Sequence, residues 1–187
     1  EQVRVPTENA IPIGDIDPAL AGLWCSMGVL LVPYGGLLAG QFQAGETLLV
    51  SGATGHFGSA CVAVALAMGA GCVVAPGRNE AMLAELSRRF GTRVRTVKLT
   101  GQEAEDTARM RQAAPGPIDC VLDLLPPSAG PQPVQAAART VREYGRIVLM
   151  GGVGMQGGDD LALPYPWIMR NNITVRGQWM YPREATN

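Results

Sequence analysis

The sequence predicts an α/β fold, a doubly wound parallel sheet of about six strands, and three observations carry that prediction. From Thr47 onward, short strand-like runs alternate with helix-patterned segments, the order that builds a parallel sheet with helices on both faces. The strand runs are continuously apolar, as parallel strands buried on both faces are. Between the first strand and the first helix stand three glycines, Gly52, Gly55 and Gly58.

Taken in order, Val3–Pro6 with Asn9–Ile13 reads as an extended piece without a partner of its own. Pro18–Gln41 reads as a buried helical stretch leading into the sheet. Strands are expected at Thr47–Ser51, Cys72–Ala75, Val94–Val97, Ile118–Leu124, Arg146–Gly151 and Ile173–Gly177. Helices are expected at about Gly55–Met68, Asn79–Phe90, Glu103–Ala113 and Gln132–Val141. In the second of these, Leu83, Leu86 and Phe90 recur on one face. Gly69, Gly91 and Gly145 each stand where a helix should stop in a left-handed residue.

With 187 residues the chain is long enough for one domain with a substantial core. A net charge of −1 supplies no basic field for nucleic acid. Four cysteines, Cys25, Cys61, Cys72 and Cys120, lie in apolar surroundings with no C-x-x-C pair. They are expected as buried free thiols of a cytoplasmic protein. Between Pro18 and Gly77 the only charged residue is Glu46, which invites comparison with a membrane hairpin. Glycines and Pro33 break both apolar runs, and β-branched segments alternate with helical ones, so no membrane partner is expected. Glu1–Asp17 lacks the basic start and apolar core of a signal peptide.

The stretch Gly52-Ala53-Thr54-Gly55-His56-Phe57-Gly58 carries the chemistry. One glycine makes the tight turn, another lets the backbone approach phosphates, and a third lets the helix lie close on the strand. The helix N-terminus adds free N–H groups and the positive end of its dipole. The spacing is G-x-x-G-x-x-G, and its placement between strand and helix points to a dinucleotide pyrophosphate. His56 and Phe57 are expected to offer backbone N–H groups, and His56 has no evident partner for work as a general base.

Cofactor preference is expected at the end of the second strand. An NAD site places an acid there for the ribose 2′-hydroxyl, while an NADP site removes the acid and adds a cation. Cys72–Asn79 contains no acid but ends in Gly77, Arg78 and Asn79. Gly77 leaves room for a 2′-phosphate, Arg78 offers a planar multidentate donor, and Asn79 is a helix N-cap. NADP(H) is therefore favoured over NAD(H). Asp119 and Asp123 lie ~13 Å apart along a strand, too far for a catalytic pair. Asp119 is expected to serve the strand start, and Asp123 the loop that follows.

Several ordered pieces resemble the cofactor-binding domain of the medium-chain dehydrogenases/reductases, the zinc-type alcohol dehydrogenase and quinone oxidoreductase superfamily. They are Val5-Pro6 with Asn9-Ala10, Tyr34-Gly35-Gly36 before Ala44-Gly45-Glu46, and the glycine loop. Asp119–Asp123, Gly145–Gly152 and Ile173–Gly177 complete the set. The resemblance implies a Rossmann-type domain over 18–187, with 1–17 a remnant of a GroES-like catalytic domain. It implies hydride transfer between nicotinamide and a carbonyl, quinone or activated alkene by the full-length protein, with this portion alone inactive. It places Leu124 in the wall of the adenine end, and Gly151, Gly152 and Trp179 beside the nicotinamide; Tyr34 and Trp179 also read as packing aromatics. It sets a candidate dimer edge at Ile173–Gly177. The family's third catalytic-zinc ligand would fall at Gly28, three residues from Cys25, so zinc is not expected. Three alternatives stay open: a zinc-dependent alcohol dehydrogenase domain, a non-catalytic NADP-sensing protein, and a structural module with an empty loop. The glycine loop also resembles that of short-chain proteins, but no Tyr-x-x-x-Lys pair occurs.

Overall fold

In a computed structural model of the protein, six parallel strands form one sheet flanked by helices on both faces. The structure describes residues 4–7, 10, 12–157 and 159–182. The expected extended piece at Val3–Pro6 and Asn9–Ile13 falls partly outside them.

The strands are β1 (Thr47–Ser51), β2 (Cys72–Gly77), β3 (Val94–Lys98), β4 (Ile118–Asp123), β5 (Val141–Leu149) and β6 (Thr174–Gly177). Their order across the sheet is β3-β2-β1-β4-β5-β6, so the direction of winding reverses between β1 and β4. Ser51 and Asp123 are register partners at the carboxyl end of that pair. The crevice beyond this point is where open α/β sheets place ligands.

The helices are α1 (Ala21–Cys25), α2 (Met27–Ala39), α3 (His56–Ala67), α4 (Glu80–Phe90), α5 (Glu103–Ala113), α6 (Pro131–Ala138) and α7 (Tyr165–Arg170). Alternate strand residues feed two cores, because side chains of a strand point to opposite faces. Leu48, Val50, Val73, Cys120 and Leu122 join Leu37 of α2, Cys61 and Val62 of α3, and Leu86 of α4. Leu49, Val74, Val121 and Ile147 join Met110 of α5 and Ala136–Ala138 of α6. Small residues set the closest approach: a methyl group at Gly40 of the α2 C-cap would stand 2.9 Å from Val148 Cγ2 and 3.2 Å from Cys120 Sγ.

Several expectations are corrected. Pro18–Gln41 is not one buried stretch: the residues through α1 are exposed, and burial begins at Val32, where α2 meets α3 and the sheet. Pro18–Ala39 is long and apolar enough to cross a membrane by length and composition, with a mean hydropathy of 1.5. Cys25 is exposed in α1, while Cys61, Cys72 and Cys120 are buried. Burial raises all three buried thiols, that of Cys120 to about 12, so they stay protonated. Gly69 and Gly91 have positive φ after α3 and α4, but Gly145 lies inside β5. There the left-handed residue is Tyr144, with φ 57°, and α6 has already ended at Arg139. α7 was not expected; it is six residues long and opens on proline, a pattern with too few turns to show periodicity.

Candidate functional site

The β1–α3 turn is built as the glycine spacing requires. Gly52 has φ +84°, and a methyl group there would stand 3.1 Å from the Leu124 carbonyl group of the crossing loop. Gly55 donates to the Gly52 carbonyl at 2.9 Å and is the N-cap of α3, with no side chain to cap it. Ser59 N is the first to find a helical acceptor, Gly55 O at 2.9 Å. The N–H groups of His56, Phe57 and Gly58 form the uncapped first turn, and such groups need an outside acceptor. A methyl group at Gly58 would strike the Gly52 carbonyl oxygen, so only glycine lets α3 lie this close to β1. The result is a row of free donors at the positive end of a helix dipole.

Two cavities meet at this turn. The first, about 340 Å³, is lined by Gly52, Thr54, Gly55, Gly77, Arg78 and Leu124, with Leu99 and Ala129 beyond. The second, about 450 Å³, is lined by His56, Phe57, Gly58, Gly151, Gly152 and Trp179, together with Val32, Met150, Met155 and Met180. Gly55, Leu124, Leu125 and Pro126 line both. The structure therefore brings together twelve of the thirteen site residues expected from the sequence. Asn79 alone lines neither; its Oδ1 accepts from Met82 N at 3.2 Å and caps α4, as expected of an N-cap.

The β2–α4 turn forms the far end of the first cavity. Gly77 is buried, and a methyl group there would stand 2.8 Å from Thr54 Cγ2 and 3.0 Å from Leu83 Cδ2. Arg78 is exposed on the cavity wall. Opposite, the β3–α5 loop is fixed by Asp106, whose carboxylate accepts from Thr100 N at 2.7 Å and Gly101 N at 3.0 Å. Gln132 of α6 donates to the Gly101 carbonyl and closes that side. Asp106 and Gln132 escaped the sequence reading: Asp106 holds a loop five and six residues before it in no recognisable spacing, and Gln132 reaches Gly101 across 31 residues.

Asp123 ends β4 between the two cavities and is 3% exposed. Burial raises its carboxyl to about 6, against the opposing hydrogen bonds from Leu125 N, Ser51 Oγ and Gly151 N. A side chain on Gly151 would collide with this carboxylate, and one on Gly152 would stand 2.6 Å from Pro127. Asp123 thus ties together the carboxyl ends of β1, β4 and β5, which form the crevice floor. Asp119, at the other end of β4, accepts from Thr47 N at 2.8 Å and Arg142 Nε at 2.6 Å. It serves the sheet, not the site. Tyr34 is half-buried in α2, whereas Trp179 is 72% exposed on the second cavity.

Among the described residues no group of three or more His, Cys, Asp and Glu side chains could hold a metal ion. Cys25 and Gly28 belong to α1 and α2, apart from both cavities.

The geometry agrees with the comparisons. Residues 57–187 match the family model described as zinc-binding dehydrogenase. No curated protein matches the chain. Among solved structures, the quinone oxidoreductase from Thermus thermophilus, also solved in its complex with NADPH, is 27% identical with a TM-score of 0.61. The match covers 81% of this chain and 44% of that one. A putative alcohol dehydrogenase from Sinorhizobium meliloti is 26% identical, with a TM-score of 0.66, over 84% of this chain and 40% of that one. An alcohol dehydrogenase from a Thermus species shares the fold at 23% identity and a TM-score of 0.69, over 84% and 42%. The chain therefore spans less than half the length of these neighbours.

Proposed function

The chain belongs to the zinc-binding dehydrogenase family, and from that membership we propose that it is the NADP(H)-binding domain of a medium-chain oxidoreductase. The full-length protein would transfer hydride between the nicotinamide and a carbonyl, quinone or activated alkene. The observation that carries this reading is the uncapped first turn of α3, whose free N–H groups stand where the two cavities meet. A pyrophosphate on those donors would send the adenosine into the first cavity and the nicotinamide into the second.

The residues fit that occupant. Gly52 and Gly58 bring the backbone within reach, Gly77 lets the β2–α4 turn pack against Thr54 and Leu83 in the cavity wall, and Arg78 offers a cation where the adenine ribose would end. The bound cofactor supplies the hydride; the chain's own residues orient it and exclude water. The lining of the second cavity carries no charged side chain and is dominated by Val32, Phe57, Met150, Met155, Trp179 and Met180. That wall favours an uncharged substrate. Reaction without zinc is proposed on Gly28, which occupies the position the resemblance gives to the third zinc ligand. Metal analysis of the full-length protein tests this, and stoichiometric bound zinc would contradict it.

A cytoplasmic location belongs to the same reading, as does pairing of two copies through β6. That strand ends the sheet, and all four of its residues are exposed. The test of function is a calorimetric titration of the full-length protein with NADPH and NADH. Tighter binding of NADPH is expected, and preference for NADH would overturn the assignment of the β2–α4 turn.

A further inference from the structure

The turn carrying Gly77 and Arg78 has a second cation beside it, supplied from another strand. β2 and β3 pair so that Gly77 and Lys98 are register partners. From that position the Lys98 ammonium donates to the Arg78 carbonyl oxygen. It also pairs with the Glu80 carboxylate, Nζ to Oε1 3.1 Å. The two side chains are 45% and 78% exposed, so the pair is weak and free to exchange partners. Arg78 takes part in none of the ion pairs among the described residues. One short turn thus holds an unengaged guanidinium, an ammonium on a weak leash, and the start of α4.

We propose that Lys98 is a second ligand of the cofactor's 2′-phosphate and that Glu80 is its resting partner. The inference rests on the reading above, in which this turn receives the adenine ribose. A phosphate monoester carries about −1.5 to −2 charges near neutral pH, against −1 on a carboxylate. It therefore displaces Glu80 from the ammonium. Arg78 then approaches the phosphate from the cavity side and Lys98 from the β3 side. The N–H groups in the first turn of α4 add to the same field, because Asn79 Oδ1 occupies only that of Met82. An NAD(H) ribose offers neutral hydroxyls, so the Lys98–Glu80 pair stays closed and Lys98 contributes nothing. Glu80 acts in the opposite sense to Lys98: it repels the phosphate and competes for the cation. Selectivity is then set by three residues, of which Lys98 lies twenty positions beyond Arg78.

The test is calorimetric titration of the full-length protein and its Arg78→Ala, Lys98→Ala, Lys98→Arg and Glu80→Gln variants with NADPH and NADH. Lys98→Ala should weaken NADPH about tenfold, the scale of a lost charge-assisted hydrogen bond, and leave NADH unchanged. Lys98→Arg should restore most of the loss. Glu80→Gln should tighten NADPH about threefold with NADH again unchanged. Unaltered NADH affinity in each variant reports an intact fold. If Lys98→Ala leaves NADPH unchanged while Arg78→Ala weakens it, the Lys98 inference fails and the NADP(H) reading stands. An equal loss of NADPH and NADH in Lys98→Ala also overturns the inference, since it marks a structural role. If the unmodified protein does not prefer NADPH, both fail.

Discussion

A methyl group added at Gly58 would stand 2.6 Å from the Gly52 carbonyl carbon and 2.8 Å from Ala53 Cα, both rigid backbone. Gly58→Ala should therefore push α3 off β1 and cost about 1–3 kcal/mol, read as a lower midpoint in thermal melts. Asp123 makes a second prediction, in which pH is the variable. Its carboxyl is raised from 3.8 to about 6 by burial, so the folded state holds the proton more tightly than the unfolded chain. Its contribution to stability is full below about pH 4 and is lost as pH rises through about 6. Asp123→Asn should remove that dependence. The stability of the natural protein relative to the variant should fall by about 3 kcal/mol between pH 4 and pH 7, measured by urea denaturation across that range. At this scale the site was partly legible in the sequence. Gly52, Gly55, Gly58, Gly77 and Arg78 stand out because backbone geometry and charge are local properties. Asp106 and Gln132 do not, because only loop folding and packing bring them to the cavity wall, and neither does Lys98, which strand register alone sets beside Gly77.

Among the elements, β5 is tied to the residue that leads into β1 by one ion pair at the amino-terminal edge of the sheet. Arg146 of β5 donates to Glu46 Oε1 at 2.6 Å, with the side chains 18% and 16% exposed, and Glu46 Oε2 accepts from Gln43 N at 2.8 Å. Glu46→Ala would leave the Arg146 guanidinium partly buried without its carboxylate. A loss of about 2 kcal/mol is expected in chemical denaturation, with NADPH affinity unchanged because the pair lies at the opposite end of the sheet from the cavities. The elements themselves were legible where periodicity is long: α5 begins and ends as its pattern predicts, and β1 likewise. Boundaries failed where sequence and backbone part company. β5 starts at Val141 and passes through a left-handed Tyr144 before resuming its register with β4 at Arg146. No local signal marks a strand that is interrupted in this way.

For the whole molecule, the sheet order and the winding reversal between β1 and β4 place both cavities at one edge. The strand–helix alternation made that architecture legible. What it could not reveal was which apolar helix face is covered: Leu23 is 69% exposed and Trp24 39%, although their stretch reads as a core helix. Hydropathy records composition, not partners. The central claim is that α3 begins at a pyrophosphate site, and hydrogen exchange with mass spectrometry on the full-length protein tests it most directly. NADPH should slow exchange in a fragment spanning Gly52–Ser59 and in one spanning Gly77–Glu80, whereas NADH should protect chiefly the first. Unchanged exchange across Gly52–Ser59 at saturating NADPH would contradict the account.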